Sequence, residues 1–166
     1  MREDLTAAVI AGGAGRRMGM DKRAMLVEGV PLLSRAVAVV SKIATEVLVA
    51  TTRTRPLPVR LPDVRVIYDR VHHGGPLAGI EVALAEATHE LVLIVAGDMP
   101  WIQEPLLAVY RPSARRLVTG LVDGGEHRVG RLLDLMQVVG IREDEWRRVD
   151  PEGRSLVNIN WPDDIA

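Results

Sequence analysis

A glycine-rich, basic segment near the N-terminus is the first stretch whose residue types can do chemistry. It reads AGGAGRRMGMDK over residues 11–22 and directly follows an apolar run. Because glycine has no Cβ atom, backbone N–H groups in such a turn can approach an anion closely and surround it. The segment contains four glycines and three cations: Gly12, Gly13, Gly15, Gly19, Arg16, Arg17 and Lys22. The pattern predicts a phosphate-binding loop. The alternative is a surface loop that is basic by chance.

The spacing within this segment excludes two common phosphate loops. A P-loop needs GxxxxGK[ST], but Lys22 is followed by Arg23. A dinucleotide-binding loop needs GxGxxG, but Met18 stands where the third glycine should be. Cations inside the segment favour a triphosphate over a pyrophosphate held by a helix dipole alone.

A second candidate site follows the most apolar segment of the chain. Residues 91–96 lead straight into Gly97 and Asp98, which delivers a carboxylate to the end of a predicted strand. Mg²⁺ is commonly held by one or two carboxylates together with phosphate oxygens. Asp98 is therefore a candidate metal ligand, and the alternative is that it caps the next turn.

Two further segments combine polar groups with glycines or with strand periodicity. Asp69 ends a predicted strand and is followed by Gly74, Gly75 and Gly79, which leave room for a flat or anionic ligand close to the backbone. Asn158 and Asn160 alternate, so both would face the same side of a short strand. Their amides would support a substrate or a metal, or would simply form the turn into a terminal helix.

Alternating strands and helices would position these groups. Short apolar runs predict strands at residues 7–11, 47–50, 64–67, 91–96 and 117–121, and helical periodicity predicts helices at residues 31–43, 76–87 and 103–110. Apolar runs without alternation are typical of strands buried on both faces, so we expect a three-layer α/β fold of the doubly wound type. Ligands of such folds sit beyond the carboxyl ends of the strands. The loops to consider are residues 12–22, 51–58, 69–75 and 97–100.

Composition limits the class of protein. The 166 residues are 48% hydrophobic, which suits one domain spanning residues 1–166. With 21 basic and 22 acidic side chains, the composition argues against a dedicated binder of nucleic acid or of anionic membranes. It has no cysteine, no membrane-spanning apolar run and no signal peptide, so we expect a cytoplasmic protein.

The charges are unevenly distributed along the chain. Residues 1–60 carry ten basic and five acidic side chains, whereas residues 121–166 carry six and ten. The basic half also contains the glycine-rich segment. This asymmetry indicates a small anionic ligand, with chance patterning of a solvated surface as the alternative.

Taken in order, these motifs resemble the molybdenum cofactor guanylyltransferase family, which makes the guanine dinucleotide form of molybdopterin from GTP. The matching residues are Ile10, Ala11, Gly12, Gly13, Arg17, Met18, Gly19, Asp21, Lys22, Asp69, residues 75–79, residues 97–100, Asn158, Ile159, Asn160 and Pro162. Three departures stand out. Gly15 stands where the family often has Ser, Trp161 stands where it has Thr, and the stretch of residues 122–132 lacks a segment that the family carries on its acceptor side.

The resemblance implies a Rossmann-like nucleotidyltransferase fold with a mostly parallel central sheet, and Mg²⁺ held by Asp98. It implies catalytic roles for Arg17, Lys22 and Asp98. It implies nucleotide contacts from Ile10, Ala11, Gly12, Gly13, Gly15, Lys22, Asp69, Gly79 and Asp98, and acceptor contacts from Asn158 and Asn160. The substrates would be GTP and molybdopterin, with possible contact to other proteins of molybdenum cofactor biosynthesis. Two alternatives are a nucleotidyltransferase with another phosphorylated acceptor and a non-catalytic GTP-binding protein with an incomplete acceptor site. A nicotinamide-dependent oxidoreductase is disfavoured by Met18 and the three loop cations.

Overall fold

The computed structural model describes residues 3–13, 21–71, 74–101 and 108–159. In these ranges the strands are β1 (Glu3–Ile10), β2 (Leu26–Val27), β3 (Val30–Pro31), β4 (Ala44–Thr51), β5 (Arg65–Tyr68), β6 (Val92–Ala96) and β7 (Ala108–Tyr110). The α-helices are α1 (Leu32–Val40), α2 (Gly75–Glu86), α3 (Arg115–Asp123), α4 (Val129–Leu133) and α5 (Glu143–Trp146). Short 3₁₀ helices lie at Lys22–Ala24, Pro112–Ala114 and Arg154–Leu156.

Five of these strands form one central sheet in the order β5-β4-β1-β6-β7. Strands β5, β4, β1 and β6 are parallel, and β7 pairs with β6 in the antiparallel direction. Strands β2 and β3 form a separate antiparallel pair. The expected α/β fold with a mostly parallel sheet is confirmed.

Helices cover both faces of the sheet, and β1 shows how. Successive side chains of a strand point to opposite faces. Ala7 and Val9 therefore pack on one side in a cluster with residues of α1, whereas Ala8 packs on the other side in a cluster with Ala83 of α2. Helix α3 lies beyond α2, where Val118 and Leu77 belong to one buried cluster. Because helices cover both faces, the central parts of β1, β4 and β6 are apolar on both sides: residues 7–10, 47–50 and 92–96.

Two of the expected elements are wrong. Residues 117–121, expected to be a strand, lie inside α3. Val118 and Val122, one helical turn apart, are buried, whereas Leu117 is 42% exposed. A short apolar run cannot distinguish a strand from a helix, and here the i, i+4 spacing of the buried valines decides.

The second wrong element is the helix expected at residues 103–110. Its last three residues form β7, in which Tyr110 pairs with Val92 and Ala108 pairs with Ile94. Residues 102–107 lie outside the described ranges. In the part of the chain that the structure describes, no helix is both long enough and apolar enough to cross a membrane.

Candidate functional site

Backbone hydrogen bonds extend the parallel sheet past the carboxyl ends of its strands. The Ala11 N–H donates to the Ala50 carbonyl at 2.8 Å, and the Gly97 N–H donates to the Ile10 carbonyl at 3.0 Å. The Asp69 N–H likewise donates to the Thr51 carbonyl at 3.0 Å. The loops that follow β1, β4, β5 and β6 therefore start side by side at one edge of the sheet.

These loops surround a cleft of about 720 Å³. Polar and glycine residues form part of its lining: Gly12, Gly13, Lys22, Arg23, Thr52, Thr54, Arg55, Asp69, Gly74, Gly75, Gly97 and Asp98. Apolar side chains form the rest: Ile10, Ala11, Pro76, Ile80, Ile94, Ala96, Tyr110 and Val129. The cleft therefore combines charged loops with apolar surface from the sheet, α2 and α4, as small-molecule sites commonly do.

An ion pair between Lys22 and Asp98 joins the first and third motifs. The Lys22 Nζ atom lies 2.5 Å from Oδ2 of Asp98, and both side chains are mostly buried. Lys22 begins a 3₁₀ helix that Asp21 caps, since the Asp21 side chain accepts a hydrogen bond from the Arg23 N–H at 3.1 Å. The cap fixes the start of this helix, and with it the backbone that carries Lys22.

The fourth motif reaches the same place through its backbone. The Ile159 N–H donates to the Asp98 carbonyl at 3.0 Å, and the Ile159 carbonyl accepts from Lys22 Nζ at 3.4 Å. Asn158, the residue before Ile159, is exposed. Asn160 lies outside the described residues.

Asp69 lies against the glycine-rich segment. A Cβ atom added at Gly12 would be only 3.2 Å from Oδ2 of Asp69, which is tighter than most real Cβ contacts. Glycine at position 12 therefore lets the β1 loop and the Asp69 carboxylate lie in close contact. Both residues line the cleft.

Gly79 occupies a different place from the other predicted residues. It is buried in α2, and a Cβ atom there would lie 2.8 Å from Cγ2 of Ile10. Gly79 is not part of the cleft lining, and its lack of a side chain lets α2 pack closely on β1. Of the other predicted residues, Ile10, Ala11, Gly12, Gly13, Lys22, Asp69 and Asp98 come together along the cleft, whereas Gly15 and Arg17 lie outside the described residues.

A buried arginine that the sequence analysis did not single out holds three of the loops together. The Arg23 side chain is about 5% exposed. Its guanidinium donates to the Ala11 carbonyl at 3.3 Å, to Thr51 Oγ1 at 3.1 Å and to the Pro56 carbonyl at 3.1 Å. It also donates two hydrogen bonds of 2.8 Å and 2.5 Å to Asp21, and these bonds hold the pKa of the Asp21 carboxyl below its usual range.

A second unassigned arginine faces the cleft from the loop after β4. The Arg55 guanidinium donates to the Gly13 carbonyl and lies 3.5 Å from Oδ2 of Asp21. A usable signal was present in the sequence, because residues 51–58 follow a predicted strand and contain two arginines. The positions of their guanidinium groups depend on contacts with residues distant in sequence.

The donor set fits Mg²⁺ bound together with a phosphate, and it does not fit a metal held by the protein alone. Within the described residues, no group of three or more His, Cys, Asp or Glu side chains could hold a metal ion. Asp98 supplies one carboxylate at the cleft wall. One or two carboxylates with substrate phosphates and waters make up the usual coordination of Mg²⁺ at phosphate sites.

Comparison with known proteins relates nearly the whole chain to a family of nucleotidyltransferases. Residues 7–129, about three quarters of the chain, match the family model of the MobA-like NTP transferase domain. A probable molybdenum cofactor guanylyltransferase from Chloroflexus aggregans is 31% identical, with 97% of this chain and 91% of that protein covered.

Two solved structures extend the comparison to the fold. Molybdopterin-guanine dinucleotide biosynthesis protein A from Archaeoglobus fulgidus superposes with a TM-score of 0.80 at 27% identity, covering 96% of this chain and 94% of that chain. The 2-C-methyl-D-erythritol 4-phosphate cytidylyltransferase from Thermus thermophilus superposes with a TM-score of 0.68 at 17% identity, covering 96% and 94%. The second likeness concerns the fold alone.

The alignment with the Chloroflexus protein also shows a difference in length. It extends over 192 positions, whereas 97% of this chain is about 161 residues. About 30 positions of that relative therefore face gaps in this chain.

Proposed function

Since the chain belongs to the MobA-like NTP transferase family, we propose that it transfers GMP from GTP to the terminal phosphate of molybdopterin and releases pyrophosphate. The observation that carries the proposal is the convergence of Lys22, Asp98 and the Gly12–Gly13 backbone on one cleft at the carboxyl edge of the sheet. The cleft volume of about 720 Å³ falls within the range of small-ligand sites.

In this proposal the glycine-rich segment binds the triphosphate through its backbone N–H groups. Arg17 and Lys22 offset the negative charge of the α-phosphate and of the leaving pyrophosphate. The Asp69 carboxylate, held against Gly12, contacts the nucleoside at a ribose hydroxyl or at the N–H groups of guanine. Positioning and charge neutralisation of this kind supply most of the catalysis in phosphoryl and nucleotidyl transfer.

Asp98 would hold Mg²⁺ in the complex with nucleotide. When bound, the ion would act as a Lewis acid across phosphate oxygens. In the described structure Lys22 pairs with the Asp98 carboxylate, so both residues would lie next to the bound triphosphate and could contact it together.

The acceptor would not need a general base from the protein. A phosphate monoester has a second pKa of about 6, so it is already largely dianionic at neutral pH. The chain's task is to hold that dianion in line with the α-phosphorus of GTP. Asn158 and Asn160 would contribute on this side, since Ile159 between them is hydrogen-bonded to the Asp98 backbone.

The test is direct. The purified protein is incubated with GTP, Mg²⁺ and molybdopterin, and the dinucleotide product and pyrophosphate are both quantified. We expect both products in equal amounts. Absence of the dinucleotide, under conditions in which a homologous guanylyltransferase forms it, would contradict the proposed acceptor.

A second candidate function is nucleotidyl transfer to a different phosphorylated acceptor. The observation that favours it is the set of about 30 positions that the Chloroflexus relative has and this chain lacks. A panel of phosphorylated acceptors, assayed for pyrophosphate release from GTP, distinguishes the two candidates. Release with a sugar phosphate but not with molybdopterin would favour the second.

A further inference from the structure

Two arginines of the cleft lining, Arg23 and Arg55, approach the same carboxylate, that of Asp21. Asp21 is already engaged by Arg23, through Nε at 2.8 Å and Nη2 at 2.5 Å. The Arg55 guanidinium is 3.5 Å from the same carboxylate, beyond the usual length of a charged hydrogen bond. Arg23 already uses most of the hydrogen-bonding sites of the Asp21 carboxylate, so Arg55 pairs with it only weakly.

The other partner of Arg55 is neutral. Its guanidinium donates to the Gly13 carbonyl, a peptide oxygen of the glycine-rich segment. Nearby, Lys22 is balanced by Asp98 at 2.5 Å. Arg23 is likewise paired with Asp21 at 2.5 Å, whereas Arg55 has no carboxylate closer than 3.5 Å. Of these three cations, Arg55 is the one without a close anionic partner.

The backbone of Arg55 is fixed while its side chain remains accessible. The Arg55 carbonyl accepts hydrogen bonds from Arg23 Nη1 at 3.4 Å and from Thr51 Oγ1 at 3.2 Å. The side chain is 26% exposed and lines the cleft. The guanidinium can therefore exchange partners without any movement of the loop that carries it.

We propose that Arg55 binds the phosphate chain of the nucleotide. Its guanidinium would give up its contacts with the Gly13 carbonyl and with Asp21. It would instead donate hydrogen bonds to phosphate oxygens held at the glycine-rich segment. This inference rests on the proposed function, because it assumes a nucleotide at that segment. Guanidinium groups suit the task, since their planar donors match two phosphate oxygens at once.

The same loop offers a matched control. Arg53 lies two residues earlier, and its guanidinium stacks 4.8 Å from the centre of the Tyr68 ring. Arg53 is not part of the cleft lining. Replacing either arginine removes one positive charge from the same loop, but only Arg55 faces the cleft.

The experiment measures binding by calorimetry of four probes: inorganic tripolyphosphate, GTP, GMP and guanosine. The proteins are the wild type, Arg55→Gln, Arg55→Lys and Arg53→Gln. Gln at position 55 keeps a donor for the Gly13 carbonyl but carries no charge. We expect Arg55→Gln to weaken tripolyphosphate and GTP about ten-fold or more, to weaken GMP less and to leave guanosine unchanged.

The two other variants sharpen the result. Arg55→Lys should recover part of the lost affinity, because it keeps the charge and loses the second donor. Arg53→Gln should bind all four probes as the wild type does. A melting temperature for each variant identifies any loss of binding that comes from unfolding.

The outcomes separate this inference from the proposed function. If the wild type binds GTP and Arg55→Gln binds it equally well, or if guanosine binding falls as much as GTP binding, the role of Arg55 is overturned and the function stands. If tripolyphosphate binding depends on Arg55 but guanosine and GMP do not bind and GTP binds no more tightly than tripolyphosphate, the role stands and the guanylyl function fails. If the wild type binds neither tripolyphosphate nor GTP, both are overturned.

Discussion

At the amino edge of the parallel strands, the Glu46 carboxylate is surrounded by donors from the protein itself. It accepts hydrogen bonds from the hydroxyl of its strand neighbour Thr6 at 2.5 Å, from the Thr88 N–H at 3.0 Å and from Arg65 at 2.9 Å. At the carboxyl edge, in contrast, Arg55 has a neutral partner and a distant one. The Glu46 carboxylate at the amino edge therefore has its partners within the protein, whereas the Arg55 guanidinium at the carboxyl edge lacks a close charged partner.

The difference shows how one sheet can be stabilised at one end and bind a ligand at the other. Burial opposes ionisation of Glu46, but the hydrogen bonds from Thr6, Thr88 and Arg65 outweigh it and lower its pKa to about 2. That carboxylate contributes to the free energy of folding. At the carboxyl edge Arg55 has no close carboxylate, so its interaction energy is available to an anionic ligand.

The largest expected effect separates chemistry from folding at Asp98. We expect Asp98→Asn to slow transfer about a hundred- to a thousand-fold, because such electrostatic contributions to a transition state are commonly worth about 3–4 kcal/mol. GTP affinity should fall only several-fold, and the melting temperature should change little. Single-turnover rates and GTP affinity across a Mg²⁺ series measure both.

The exposed Asp134, which pairs with Arg131 at 3.4 Å, provides the control Asp134→Asn. That variant should transfer at the wild-type rate. Near-normal transfer by Asp98→Asn would mean that Asp98 only caps a turn. The charge at this position would then have a structural role, like that of Glu46 at the amino edge.

The next effect belongs to the amino edge and is a dependence of stability on pH. The pKa of Glu46 is about 2 in the folded protein and near the ordinary value of 4.5 in the unfolded chain. Above pH 4.5 its contribution is fully present, and it is lost as the pH falls from about 4.5 towards 2, because the unfolded chain takes up the proton first. The contribution is at most about 3 kcal/mol.

Urea unfolding between pH 7 and pH 3 tests this with Glu46→Gln. The variant should be less stable at pH 7 and should lose less stability on acidification than the wild type. Glu152→Gln removes an exposed carboxylate and controls for the loss of one negative charge. Parallel curves for the wild type and Glu46→Gln would contradict the assignment, and reduced GTP binding at pH 7 would contradict the separation of the two edges.

A smaller effect is expected for Lys22→Ala. Loss of this cation should weaken GTP binding about ten-fold and slow transfer, since a hydrogen bond to a charged group contributes about 1.5–3 kcal/mol. The fold should survive, because the pair with Asp98 lies in a loop that meets the cleft. Lys42→Ala, a change of the same residue type on another loop, should bind GTP normally.

Fluorescence titration with GTP and thermal melting measure the two quantities for Lys22→Ala. If this variant unfolds, or if it binds GTP as tightly as the wild type, Lys22 does not bind the nucleotide. Its role would then be to stabilise the fold, as that of Glu46 is.

The smallest expected effect concerns the choice of nucleotide. A site that pairs with the N–H groups of guanine leaves polar groups unmet when another base is bound, at a cost of about 1–3 kcal/mol for each lost partner. GTP should therefore raise the melting temperature more than ATP or CTP at equal concentration. Equal stabilisation by GTP and CTP would remove the basis for a guanine-specific contact at Asp69.

The sequence predicted the parts of the molecule that depend on local patterns. The apolar runs of β1, β4, β5 and β6 and the periodicity of α1 and α2 were sufficient to find those elements. Helix α3 was missed because its apolar residues come in two adjacent pairs, at 117–118 and 121–122, which resemble a short strand. Only their burial distinguishes Val118 from Leu117. Strand β7 was missed because three residues carry too little pattern.

The candidate site likewise has residues that a local pattern predicts and residues whose roles depend on the folded chain. Glycines and a carboxylate at strand ends can be recognised from type and position, so Gly12, Gly13 and Asp98 were found. The roles of Arg23 and Arg55 depend on carbonyls of residues 11, 13 and 56, which approach them only in the folded chain. Gly79 was assigned to the ligand from its motif, whereas its neighbour in the structure is Ile10.

The hydrogen bond between Ile159 and Asp98 has a consequence for protein synthesis. The two residues are about 60 positions apart in the chain, and translation adds roughly 5–20 residues per second, so Ile159 emerges about 3–12 seconds after Asp98. All four parallel strands have been made by residue 96. The four parallel strands are therefore synthesised well before the segment that reaches back to Asp98, so the sheet can pair before this junction can form.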